Sequence, residues 1–150
     1  MSRRSVQALS LALLLGLLTT GCGLVPNRPD AEGWTVAARQ SLEDAASEVA
    51  TVRVATEQQQ KGRQLGAYGV VTATTSEEAL GKAADSILAQ QPPASRRDAL
   101  DRVSQALGDA GDLVSEARIA LVRGDEAEYD GLVKRLAAMS TRLDDLRASL

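Results

Sequence analysis

An unbroken three-four alternation of apolar residues dominates the C-terminal half of this 150-residue chain. It is carried by Leu100, Val103, Leu107, Ala110, Val114, Ala117 and Leu121. A second row at spacing seven is formed by Ala99, Ala106, Leu113 and Ala120. An apolar face of this width predicts an amphipathic helix inside a helical bundle, because a two-stranded coiled coil needs only a narrower seam.

Two further segments carry stripes with the same spacing. The last segment has Tyr129, Leu132, Leu136, Met139, Leu143, Leu146 and Leu150. A helix from about Trp34 to Gln60 is predicted from the recurrence of Ala38, Leu42, Ala45, Val49, Val52 and Thr56. Glycine and charged residues at Lys61-Gly62 and at Gly124-Asp125 are typical of helix ends, so they predict where these helices stop.

The segment before Pro92-Pro93 gives the weakest helical signal. Its stripe is short and consists of Leu80, Ala84 and Ile87. A capping box formed by Thr75 and Glu78 could start a helix there. The other helices, however, have about 27 residues and are roughly 40 Å long at 1.5 Å per residue. We therefore predict a longer helix over residues 65–91, with a distortion near residues 74–76 where threonines cluster.

These segments together predict an all-α fold, an up-down-up-down four-helix bundle over residues 34–150. Aromatic residues make up only 2% of the chain, whereas strands favour aromatic and β-branched side chains. Small residues on the stripes should let the helices approach closely; they are Ala45, Ala84, Ala110 and Ala117. Ser95, shortly after the two prolines, is the predicted N-cap of the third helix.

The N-terminus has the organisation of a bacterial signal peptide. Arg3 and Arg4 precede a 13-residue apolar stretch from Val6 to Leu18, which is shorter than the roughly 20 residues needed to cross a bilayer. Thr20, Gly21 and Cys22 follow, and this ending resembles the lipobox of bacterial lipoproteins, although Thr19 stands where that motif has Leu. The resemblance implies that residues 1–21 are removed and that Cys22 carries a diacylglycerol anchor.

A lipidated Cys22 predicts a protein held on the extracytoplasmic face of the cell membrane. Residues 22–33 would then be the lipidated Cys and a tether containing two prolines. The mature part is similar to small helical lipoproteins of high-GC Gram-positive bacteria in Pro92-Pro93, in residues 115–120 and in residues 123–125.

The charge of the chain argues against nucleic acid as a partner. The leader carries two of the 17 basic residues and none of the 20 acidic ones, which leaves 15 against 20 and a net charge of −5. Nucleic-acid binding depends on neutralising phosphates with Lys and Arg, so an acidic chain is a poor candidate.

The residue inventory predicts no catalytic, metal or cofactor site. The chain has no His, and its single Cys is assigned to the lipid, so Ser–His and Cys–His pairs cannot form. Zinc and copper lack their usual ligands for the same reason. No glycine-rich phosphate loop is present either. We therefore expect a protein that is not an enzyme.

Four charged residues predict the alternative of a polar pocket between the first and third helices. If these helices are parallel, Arg53 and Glu57 lie at the depth of Asp112 and Arg118. The simpler interpretation is a set of salt bridges at the helix boundaries. Trp34 is predicted to close one end of the bundle, with the membrane interface as its alternative.

The sequence thus favours a membrane-anchored structural or protein-interaction module with an unidentified envelope protein as partner. The alternative is an extracytoplasmic sensor that binds a small ligand or an ion in the polar pocket.

Overall fold

The computed structural model describes residues 30–64 and 66–150, and these form the predicted four-helix bundle. The helices are α1 (Ala31–Gln60), α2 (Gly66–Leu88), α3 (Arg97–Arg123) and α4 (Glu126–Ser149). A short 3₁₀ turn, Ala94–Arg96, precedes α3. The leader, Cys22 and the predicted tether up to residue 29 lie outside the described residues, as does Leu65.

The helices run alternately up and down. α1 packs against α2 and α4, α2 packs against α3, and α1 also meets α3 across the middle of the bundle. We call the end where α1 begins and α2 ends the near end, and the opposite end the far end. None of the helices in residues 30–64 and 66–150 is long and apolar enough to span a membrane.

The predicted stripes form the core. Every stripe position of α1 from Ala38 to Thr56 is buried. On α3 both rows are buried except Leu100, which is partly buried against the core. Tyr129, Leu132, Leu136 and Leu143 of α4 are fully covered. Periodicity therefore predicted the inward faces correctly, because each stripe removes a continuous apolar surface from water.

Trp34 closes the near end of the bundle, as predicted. Its side chain is only 3% exposed and belongs to the core cluster. Among the described residues its indole Nε1 has no hydrogen-bond partner. At the far end Tyr129 is buried as well, and burial, with smaller contributions from Glu126 and Asp125, raises the pKa of its hydroxyl above the ordinary value.

The start of α1 was predicted three residues too late. Asp30 is the N-cap, and its carboxylate accepts hydrogen bonds from the backbone N–H groups of Glu32 and Gly33 at 3.1 Å each. Gly33 was included in the predicted tether, but it lies in the capped first turn of α1. The tether can therefore extend no further than Asp30.

Two predictions about α2 were wrong. The helix runs without interruption from Gly66 to Leu88, so the expected distortion near residues 74–76 does not break it, and it ends three residues before Gln91. Thr75 and Glu78 lie inside the helix and cap nothing. Buried residues on one side, namely Gly69, Ala73, Ser76, Leu80 and Ile87, hold the helix against its neighbours and outweigh the weak helical preference of the threonines.

The predicted cap of α3 was also wrong, whereas its end was right. Ser95 lies in the 3₁₀ turn and the N-cap position is Arg96, without a side-chain cap. The turn continues directly into α3, so Ser95 is not at the boundary. Gly124 ends α3 in the left-handed conformation with φ of 64°, which glycine adopts without strain.

Candidate functional site

The four charged residues of the predicted polar pocket are not gathered in one place. Arg53 pairs with Glu57 on the same helix, with Nη1 and Oε1 2.6 Å apart. Arg118 instead pairs with Glu77 of α2, with Nε and Oε2 2.6 Å apart. Asp112 lines a groove between α3 and α4. The ion pairs correspond to the simpler interpretation of boundary salt bridges, and Glu77 is a partner that helix depth alone could not identify.

The groove that contains Asp112 is lined by charged side chains, and most of these form ion pairs with one another. It has a volume of about 410 Å³. Arg135 donates two hydrogen bonds to the carboxylate of Glu116, at 2.5 and 2.6 Å, and Arg142 donates to Asp109 at 2.7 Å. The hydrogen bonds from Arg135 lower the pKa of Glu116 below its usual value. Both arginines are thus already engaged with carboxylates of α3.

A second groove lies between α1 and α2 towards the near end. Its volume is about 530 Å³, and it is lined by both acidic and basic side chains, among them Asp44, Glu48 and Lys82. The buried hydroxyl of Ser76 donates to Glu48 at 2.6 Å, and Gln40 donates to Asp44 at 2.8 Å. Both carboxylates are therefore already hydrogen-bonded within the chain. The bond to Glu48 joins α1 to α2, and the bond to Asp44 lies within α1.

The third groove continues along α1 and α2 to the far end and has an uncharged lining. Its volume is about 540 Å³, and its walls are Ser47, Ala50, Thr51, Val54, Ala55, Gln58, Gln64, Tyr68 and Thr72. Gln64 closes one end by donating from Nε2 to the backbone carbonyl of Ala55 at 2.6 Å. Val54 and Tyr68 stand at the rim and are 46% and 65% exposed.

The outer surface of α2 beside this groove is uncharged as well. The first 11 residues of α2, Gly66 to Ser76, contain no charge, whereas the other three helices have no uncharged run longer than six residues. Val71 in this stretch is 63% exposed. A helix on the surface of a bundle normally carries charges on its solvent side, so this exposed side of α2 lacks the expected charged residues.

Neighbouring helices extend the apolar surface at the same height. Ile119 and Val122 of α3 are exposed. Leu121 lies beside Gly69 of α2, where a Cβ on the glycine would be 3.4 Å from the Leu121 Cδ2 atom, so the two exposed residues share the height of the start of α2. We call Val54, Tyr68, Val71, Ile119 and Val122 together the far-end face. Five of the seven large exposed apolar side chains in residues 30–64 and 66–150 belong to it.

The far-end face is the best candidate for a functional site in the described part of the chain. Exposed apolar side chains that concentrate in one region mark interaction sites, whereas scattered ones have no such meaning. Within the same residues no group of three or more acidic, Cys or His side chains is arranged to hold a metal ion. Comparison of the chain with protein-family models, curated proteins and solved structures gave no match.

Proposed function

We propose that this protein is a non-enzymatic, lipid-anchored module that docks a protein partner at the extracytoplasmic face of the cell membrane. The observation that carries the proposal is the far-end face, an exposed apolar surface centred on the uncharged half of α2. Tyrosine is enriched at protein interfaces, and an apolar patch with polar surroundings suits a protein partner.

The height of the far-end face favours a protein over the membrane itself. Val54 lies 23 residues after the start of α1, which corresponds to about 35 Å at 1.5 Å per residue. An anchor at Cys22 would attach the near end to the bilayer, and a bundle standing upright on it would hold the far-end face away from lipid. The tether of residues 23–30 adds at most about 26 Å, at ~3.3 Å per residue.

Lipidation of Cys22 accounts for the N-terminal sequence. Two acyl chains anchor stably where one is marginal, since each buried methylene contributes about 0.8 kcal/mol. A lone thiol in an oxidising compartment would otherwise be open to pairing with other proteins. The charged, polar and proline-containing segment after Cys22 suits a tether between the anchor and α1.

A non-enzymatic role fits the chemistry available to the chain. It has no His for proton transfer near neutral pH, and its only Cys is assigned to lipid. A sensor role, the alternative, would need Arg53, Glu57, Asp112 and Arg118 to surround one ligand. Those side chains belong to separate ion pairs and grooves.

The anchor is tested by replacing Cys22 with Ser and fractionating cells that produce either form. We expect the parent chain in the membrane fraction, with a diacylglycerol on the N-terminal peptide by mass spectrometry. The Cys22→Ser chain should be released or remain unprocessed. Equal membrane association of the two chains, with an unmodified Cys22, would contradict the proposal. Ser5→Ala, inside the leader, is a matched control and should leave the distribution unchanged.

A further inference from the structure

We infer that the protein partner presents a helix with an uncharged face, and that this helix lies in the groove between α1 and α2 towards the far end. The inference rests on the proposed docking role and names the kind of partner. Val54 and Tyr68, which belong to the far-end face, stand at the rim of this groove. A helix lying between them would cover both side chains and would continue the contact into the groove.

The groove differs from the other two grooves in its lack of charge. Acidic and basic side chains line each of the others. Here Thr51 and Gln64 donate to backbone carbonyls of the chain itself. Ser47, Gln58 and Thr72 line the same groove and form no side-chain hydrogen bond with any described residue. Their hydroxyl and amide groups both donate and accept, so they fit uncharged polar groups of a partner. A charged group would lose its water there without gaining a counter-charge, so the occupant should be uncharged.

The dimensions and the lining of the groove favour a helix as this occupant. The α1 wall rises by 11 residues from Ser47 to Gln58, about 17 Å at 1.5 Å per residue, which equals three turns of a partner helix. The part towards the near end is lined by small residues, namely Ser47, Ala50, Thr51 and Thr72. Small residues let two helices approach closely. The apolar side chains of Val54 and Tyr68 would then contact the middle of the partner helix, as when an amphipathic helix lies in a groove.

Charges beyond the two ends of the groove indicate what flanks the uncharged stretch of the partner. On the near-end side, the neighbouring groove is lined by Asp44 and Glu48 but, among the described residues, by only one basic side chain, Lys82. On the far-end side, the turn from α1 to α2 carries Lys61 and Arg63, both exposed. Opposite charges on a partner would be attracted to each end and would fix its register. The partner helix should therefore have Lys or Arg at the near end and Asp or Glu at the far end, with about three uncharged turns between them.

The test is photocrosslinking in intact cells with p-benzoylphenylalanine, a photoreactive amino acid close to tyrosine in shape. Introduced at Tyr68, it replaces an aromatic ring at the rim of the groove. Introduced at Ala137, it lies on the exposed side of α4 and is the matched control. We expect severalfold more crosslinked protein from position 68 than from position 137. Tandem mass spectrometry of the product identifies the partner segment, which should have three helical turns with an uncharged face between a basic and an acidic residue.

Charge reversal at the far end of the groove tests the acidic residue expected on the partner. Arg63 is exposed and forms no ion pair with another described residue, so Arg63→Glu should fold normally, which circular dichroism checks. It should reduce the product from position 68 severalfold. Arg102→Glu, at an exposed position of α3, is the matched control and should leave the product unchanged. Changing the mapped acidic residue of the partner to Lys should restore the product with the Arg63→Glu chain, which a loss of folding could not explain.

The failure of the inference and the failure of the docking role give different results. A crosslinked protein segment with charged residues facing the groove would overturn the inference and leave the docking role standing. The same holds if Arg63→Glu and Arg102→Glu give equal product. Equal product from positions 68 and 137 would contradict the docking role as well, and so would a neutral sugar crosslinked in place of a protein.

Discussion

α2 and α3 are adjacent antiparallel helices of similar length, but they differ in how many residues they bury and in what they expose to solvent. α3 buries ten of its 27 residues in two continuous rows. α2 buries five of its 23, two of which are Gly69 and Ser76. The solvent side of α3 is mostly charged, whereas the far half of α2 exposes Tyr68, Val71 and two threonines.

The difference shows that packing within the chain explains the sequence of one helix but not of the other. The sequence of α3 follows mostly from packing within the chain, since its apolar residues other than Ile119 and Val122 are inside and its charged residues are outside. The far half of α2 does not follow from that rule. Exposed β-branched and aromatic residues are less favourable in a helix than Ala, Lys or Glu, and they contribute little to the core. The proposed protein partner would cover them and would account for their presence.

The largest expected effect comes from breaking the packing of α3. Leu107 is 1% exposed, and Leu107→Ala should lower the free energy of unfolding by about 2–5 kcal/mol because it removes buried methyl groups and leaves a cavity. Urea unfolding followed by circular dichroism measures the change. Leu88→Ala, the same substitution on the exposed side of α2, is the matched control and should change stability by less than about 0.5 kcal/mol. Equal losses from the two variants would refute the contrast between the helices.

A smaller effect of opposite sign is expected on the exposed row of α2. Thr75→Ala and Val71→Ala should each raise the free energy of unfolding by a few tenths of a kcal/mol, up to about 0.7, because Ala is the better helix former. The measurement is urea unfolding at a protein concentration low enough for the chain to be monomeric. A loss above about 1 kcal/mol in either variant would mean that this row is packed within the chain.

Most of the fold could be predicted from the sequence because the helices follow one period. The stripes beginning at Ala38, at Leu100 and at Tyr129 fix the inward faces. The sequence also contains a signal for the N-cap Asp30, since Asp is a favourable cap residue. The glycine at position 33, however, is typical of a position outside a helix, and it favours a later start. Ser95 was misplaced because a 3₁₀ turn has no periodic signature long enough to recognise.

The site could not be predicted in the same way, because it depends on rotation about the helix axes. Depth along the bundle placed Arg53 level with residues of α3, although Glu57, four residues on, is its actual partner. Arg118 bonds to Glu77, whose direction depends on how α2 turns about its own axis. The sequence contains one signal of the far-end face, the run of 11 uncharged residues at the start of α2. On its own this run indicates only a weak helical segment, because the sequence does not show which of its residues are exposed.

The most direct test of the account measures whether the far-end face is covered in the living cell. Val71→Cys and Ala137→Cys are treated in intact cells with a maleimide that does not cross membranes, and then again after gentle extraction and dilution. The account predicts that Val71→Cys reacts severalfold more slowly than Ala137→Cys in cells, and at a similar rate after dilution, because Val71 is 63% exposed in the single chain. Equal rates in intact cells would contradict the claim that a protein partner occupies this surface.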